Sequence, residues 1–161
     1  MPAVHPIRKS LRIPGYDYSQ PGAYFVTIVT HGRECLLGQI FNGRIALFDA
    51  GRIVEKTWFD LPNRYPGIRL DAFVVMPNHV HGIITLLDST WKVSEIVRGF
   101  KSVSARKINL IRDATGQPVW QRNYYEHIIR DEAELQKIAD YIETNPSNWQ
   151  NDMENQHNPH P

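Results

Sequence analysis

Two histidines one residue apart, His79 and His81, stand at the head of the apolar run Val80-His81-Gly82-Ile83-Ile84. Successive side chains of a β-strand point to opposite faces, so the two imidazoles share one face and Val80 takes the other. Side by side on a rigid strand they make half of a metal site, each offering one neutral nitrogen to a divalent ion. A second pair, Tyr141 and Asn145, lies four residues apart in a stretch with helical spacing, which stacks the two along one helix edge. An amide oxygen there can serve a hard cation, and a phenol one turn away can reach a substrate held on that cation. Each pair also has a plain structural reading, as ordinary strand histidines and as an aromatic at the border of a buried helix face. At this level both readings stay open.

The elements that must position these residues follow from local pattern. Leu70 to Met76 and His79 to Leu87 read as two strands joined at Pro77-Asn78, where Pro pre-sets φ and Asn tolerates the next turn position. Tyr24 to Thr30 is β-rich and supplies another central strand, while Asn42-Gly43 between apolar residues marks a two-residue hairpin. Asp49 is a candidate cap for a helix carrying Ile53, Val54, Trp58 and Leu61 and stopping near Pro62. Ser94 is a candidate cap for a second, with Val93, Ile96, Val97, Phe100, Val103 and Ile111 on its buried side. Tyr124 to Ile129 reads as a further strand. Asp131 or Glu132 opens a last helix, with Leu135, Ile138, Ala139 and Ile142 as its buried face. Pro146 disfavours helical geometry at Asn145 and so puts Asn145 at or near the helix end. Helices regularly separating strands predict an α+β sandwich, a central antiparallel sheet with helices packed on one face. One domain over 21–149 is expected, flanked by an irregular arm over 1–20 and a polar tail over 150–161 expected to be disordered.

Composition narrows the function classes. With one cysteine, Cys35, the chain can form neither an intramolecular disulfide nor a thiolate-only metal site. No apolar run approaches a membrane span and no signal-peptide pattern opens the chain, so the expected location is the cytoplasm, with no membrane partner. The formal net charge of +1 hides an asymmetry. Residues 131–161 carry seven acids against Lys137, which leaves 17 bases and 10 acids on the rest of the chain. Between Arg98 and Arg112 there are five bases, Arg98, Lys101, Arg106, Lys107 and Arg112, and no acid. On a helical wheel all but Lys107 fall away from the buried side. Such a face suits a polyanion partner, though a solvated helix face is the commoner origin of a short basic run.

Three motifs in order carry a resemblance: Met76-Pro77-Asn78-His79-Val80-His81-Gly82, Trp120-Gln121-Arg122-Asn123-Tyr124-Tyr125-Glu126-His127-Ile128-Ile129-Arg130, and Tyr141-Ile142-Glu143-Thr144-Asn145-Pro146. Together they resemble the single-tyrosine transposases of the HUH superfamily, most closely the REP-associated branch, over about Gly15 to Trp149. The resemblance implies a ferredoxin-like core with the histidines on a central strand and the nucleophile on a later helix. It also implies a divalent metal, Mg²⁺ or Mn²⁺, held by His79, His81 and Asn145, with Tyr141 as the nucleophile. Insertion-sequence members have Gln where this chain has the shorter Asn145. The implied partner is single-stranded or hairpin DNA, bound by a monomer or a homodimer. The implied activity is that of an endonuclease and strand transferase working through a 5′-phosphotyrosine. The alternative is a domesticated, catalytically silent DNA-binding protein. Arg98, Lys101, Arg106, Arg112 and Arg122 are the expected phosphate contacts. His127 and Glu126 stand in a family-like motif as a possible DNA contact or support to the metal ligands; a structural role for His127 is equally open.

Overall fold

The computed structural model describes residues 20–152, 154 and 155; the expected arm, apart from Gln20, lies outside them. A four-stranded antiparallel sheet forms the frame. Its strands are β1 (Gly22–Val29), β4 (Ile68–Met76), β5 (His79–Leu86) and β6 (Tyr125–Ile129), in the order β4-β5-β1-β6. A separate hairpin, β2 (Gly38–Phe41) and β3 (Arg44–Leu47), turns at Asn42 and Gly43, both with positive φ as the Asn-Gly pair predicts. The helices are α1 (Asp49–Phe59), the single turn α2 (Leu61–Arg64), α3 (Val93–Ile111) and α4 (Glu132–Thr144). The order β1, α1, β4, β5, α3, β6 with this strand arrangement is the expected ferredoxin-like α+β core.

Strand β5 lies in the middle of the sheet and is buried along its whole length, because helices cover both faces. Val80 and Ile84 face α1 and α3, in a core with Tyr24, Val26, Ile28, Val54, Trp58, Ile96 and Phe100. Ile83 and Phe25 face the other way and pack with Ile138, Tyr141 and Ile142 of α4. The two crossover helices thus share one face, as expected, whereas α4 covers the opposite one. The reason is the alternation along β1 and β5: both faces are apolar, so each needs a cover.

Local capping differs from expectation at several ends. Asp49 is the first helical residue of α1, not its cap, and pairs with Arg52 at 3.0 Å. Helix α3 begins one residue before Ser94, at Val93, and the Glu95 carboxylate accepts from the Lys92 backbone N–H at 3.0 Å. Asp131 does cap α4, its carboxylate accepting from the Glu134 N–H at 2.8 Å. Asn145 ends α4 as expected but keeps helical φ and ψ (−58° and −42°), since the chain runs on into a 3-10 turn, Pro146–Asn151. Pro146 is accommodated as the first residue of that turn, where its missing N–H costs nothing.

Gly82 links the core to the histidine strand. A Cβ built on it would stand 2.4 Å from Cζ2 of Trp58, whose ring stacks on Phe73 with centroids 4.4 Å apart. The indole plane lies where a side chain would be. Gly82→Ala is therefore expected to lower stability by about 1–3 kcal/mol through overpacking, measured by urea unfolding; an unchanged midpoint would show that Trp58 can step aside.

Candidate active site

The alternation that buries Val80 turns His79 and His81 onto the α4 face. Their Nε2 atoms are 3.1 Å apart. Each ring is held at its other nitrogen. Asn78 Oδ1 lies 2.8 Å from His79 Nδ1, and Thr27 Oγ1 lies 2.8 Å from His81 Nδ1, directly across the β1–β5 ladder. The Asn78 amide nitrogen donates to the carbonyls of Arg33 (3.2 Å) and Glu154 (2.6 Å), which leaves its oxygen as the acceptor. His79 must then donate from Nδ1, so its neutral form presents a lone pair at Nε2. The Thr27 hydroxyl can donate or accept and therefore suits either tautomer of His81.

Tyr141 comes from α4 with its ring 5.4 Å from that of His81 and 6.4 Å from Phe25. It is 7 % exposed. Burial pushes its phenol well above the usual range and the Asp152 carboxylate pushes it further, while a hydrogen bond from the Asn145 side chain pulls it partly back. Asn145 itself is buried, and its Oδ1 has no hydrogen-bond partner among the described residues. An orphaned buried oxygen of this kind costs about 1–3 kcal/mol, a cost that a bound cation would remove.

The structure adds a residue that the sequence did not point to. Asp152, just past the 3-10 turn, is 2 % exposed, with Oδ2 3.5 Å from His79 Nε2. Its Oδ1 accepts from the Glu154 N–H at 2.8 Å, and Glu154 pairs with Arg33 at 3.0 Å. The polar tail expected over 150–161 is in part ordered against the site: Asp152 lies beside His79 and the Glu154 carbonyl accepts from Asn78, while Met153 and 156–161 lie outside the described residues. His79, His81 and Asp152 form a cluster whose ligand atoms lie within 4.8 Å of one another. Two imidazole nitrogens with carboxylate and amide oxygens nearby suit a hard or borderline divalent ion.

The other expected site residues are placed less uniformly. His127 is on the histidine face of β6, opposite Phe25, but its Nε2 meets Glu134 of α4 at 3.1 Å. Glu126 is across the sheet. It pairs in register with Val26 of the α1/α3 core and accepts from the Tyr124 hydroxyl at 3.0 Å, so it supports that core and not the histidines. Helix α3 packs on that far face as well. Lys101 is half-buried, and its ammonium donates to the carbonyls of Gln121, Arg122 and Asn123 at 2.7–3.2 Å, which uses all three donors and leaves none for a phosphate. Arg112 donates to Asn109 Oδ1 and the Pro118 carbonyl. Arg98, Arg106 and Arg122 are exposed.

Comparison with known proteins gives the class. A family model described as IS200-like transposase matches residues 59–145, a span that includes the histidine pair, Tyr141 and Asn145. The chain belongs to this family. An uncharacterised protein of Haemophilus influenzae is 39 % identical, over 91 % of this chain and 92 % of its own length. A second protein of that organism, provisionally named a REP-associated tyrosine transposase, is 25 % identical over 81 % of this chain and 73 % of its own. Among solved structures, a REP-associated tyrosine transposase bound to a REP hairpin superimposes with a TM-score of 0.62 at 23 % identity, covering 84 % of this chain and 73 % of that one. The REP-associated branch that the motifs resemble thus recurs in both comparisons. No helix among the described residues is long and apolar enough to cross a membrane.

If Thr27 orients His81, Thr27→Val should keep the strand, for which Val is well suited, while lowering affinity for Mn²⁺ about 10- to 100-fold. Titration calorimetry reads this directly. Unchanged affinity would show that His81 needs no support from β1.

Proposed function

We propose that this protein is a divalent-metal-dependent, single-strand DNA endonuclease and strand transferase whose nucleophile is Tyr141. The observation that carries the reading is the pair of Nε2 atoms 3.1 Å apart with the Tyr141 ring beside His81. His79 and His81 would hold the ion, with Asn145 Oδ1 and the Asp152 carboxylate as its oxygen donors. When bound, the ion would supply Lewis-acid polarisation of the scissile phosphate.

The remaining work falls to the chain's own groups. Asn78 and Thr27 keep the imidazoles from turning. The floor of the site, made by Phe25, Ile83, Ile138 and Ile142, is apolar and limits water beside the phenol. Tyr141 must lose its proton to attack, and burial makes that loss costly, so the reaction depends on positive charge arriving with the ion. In the step itself the Tyr141 Oη–P bond forms and the P–O3′ bond breaks. The phenolic proton is lost and the departing 3′-oxygen gains one, so the DNA is left with a free 3′-hydroxyl and a 5′-phosphotyrosine. The covalent link keeps the phosphodiester energy, and a later 3′-hydroxyl can rejoin the strand by the reverse step. Hairpin-bearing DNA is the favoured form of substrate, because a structural relative of the same fold is bound to a REP hairpin.

A catalytically silent DNA-binding protein is the second reading. The small exposure and raised pKa of Tyr141 favour it. One experiment separates the two: labelled single-stranded and hairpin oligonucleotides are incubated with the protein and Mn²⁺ or Mg²⁺, then resolved under denaturing conditions. A covalent protein–DNA adduct that needs the metal and disappears in Tyr141→Phe is expected, with DNA affinity nearly unchanged because the ring remains. Binding without any adduct would establish the silent reading, and an adduct persisting in Tyr141→Phe would assign the nucleophile elsewhere.

A further inference from the structure

The β2–β3 hairpin has no part in the sheet, yet it runs along the rim of the candidate site. At its base the Leu37 N–H donates to the Pro77 carbonyl at 2.9 Å, in the turn that leads into His79. At its tip a Cβ on Gly43 would be 3.7 Å from Cα of Ser147, two residues beyond Asn145. The hairpin therefore bridges the start of the histidine strand and the end of the tyrosine helix. Its inner face, Gly38, Ile40, Ile45 and Leu47, is wholly or partly buried. Its outer face is Gln39, Phe41, Arg44 and Ala46, all exposed. Phe41 and Arg44 are paired across the ladder, next to the turn.

Phe41 is 69 % exposed, an unusual position for a phenylalanine on a short strand with a buried face available. Arg44 has no hydrogen bond or ion pair among the described residues. An aromatic face beside a free guanidinium, on a hairpin tip, is a pairing that holds single strands: the ring stacks on a base and the cation meets the adjoining phosphate. We infer that Phe41 and Arg44 form a single-strand subsite, in which Phe41 stacks on an unpaired base flanking the scissile phosphate and Arg44 binds the neighbouring backbone. This rests on the single-strand reading of the site, and it adds the contact that guides the strand across the rim.

The test uses the full chain and a mixed-sequence single-stranded oligonucleotide carrying 2-aminopurine at successive positions, with the same sequence as a duplex for control. Phe41→Ala should weaken single-strand binding roughly 5- to 100-fold and abolish the fluorescence quenching at one position, leaving duplex binding and the melting temperature unchanged. Phe41→Trp should restore both. Arg44→Ala should lower the slope of log affinity against log salt by about 0.7. Single-strand affinity and quenching unaltered in Phe41→Ala would overturn the inference, as would an equal loss on duplex. It would fall too if Phe41→Ala abolished self-association of the protein without changing DNA binding, since the face would then be an interface between copies. The adduct assay with the parent protein is read separately: if the adduct forms but Phe41→Ala has no effect, only this subsite fails. If no adduct forms while Phe41 still governs single-strand binding, the catalytic reading fails and the subsite stands.

Discussion

Everything around the candidate site depends on two hydrogen bonds made behind the histidines. Asn78 Oδ1 and Thr27 Oγ1 each hold an Nδ1 at 2.8 Å, and this fixes the two Nε2 atoms 3.1 Å apart on one face of β5. Two lone pairs at that distance repel unless a proton or a cation lies between them. Asn78 cannot yield, since its amide nitrogen is tied to two carbonyls. Thr27 can, because its hydroxyl rotates. The pair therefore joins a fixed imidazole to an adaptable one. Such an arrangement can accept an ion with little movement of the backbone.

The fold supplies the conditions for this. A central strand buried on both faces keeps the imidazoles rigid, and the absence of a side chain at Gly82 lets Trp58 close the far side. Helix α4, capped by Asp131 and latched to β6 through His127 and Glu134, lays Tyr141 against His81. The chain then folds back, and Asp152 and Glu154 reach the turn that opens β5. Tyrosine, histidines and carboxylate thus come together from distant parts of the sequence over an apolar floor. There burial and the Asp152 carboxylate both hold the phenol's pKa above its usual range.

Much of this was legible in the sequence because it rested on local rules. The period of two put His79 and His81 on one face, Asn42-Gly43 gave the hairpin, and the four-residue spacing put Tyr141 over Asn145. The misses have a common cause, since they depend on which neighbour a side chain meets. Lys101 counted as a free cation until a loop twenty residues on took its three donors. Glu126 stood one residue from His127 and so, by the same alternation, on the wrong face of β6. Asp152 lay in a polar stretch with no periodicity, and its burial follows from the contacts of Asn78 and Arg33 with Glu154, which no local pattern records. Asn78 itself read as a turn residue, its side chain's role hidden by its suitability for the turn.

On the proposed function, the two Nε2 atoms and the oxygens beside Tyr141 would hold one divalent ion. Anomalous diffraction from crystals grown with Mn²⁺ tests it most directly. A single strong peak is expected in contact with His79 Nε2 and His81 Nε2, with Asn145 Oδ1 or the Asp152 carboxylate completing the protein's share of the ligands. A manganese peak elsewhere, or none at saturating Mn²⁺ with both imidazoles still 3.1 Å apart, would contradict it.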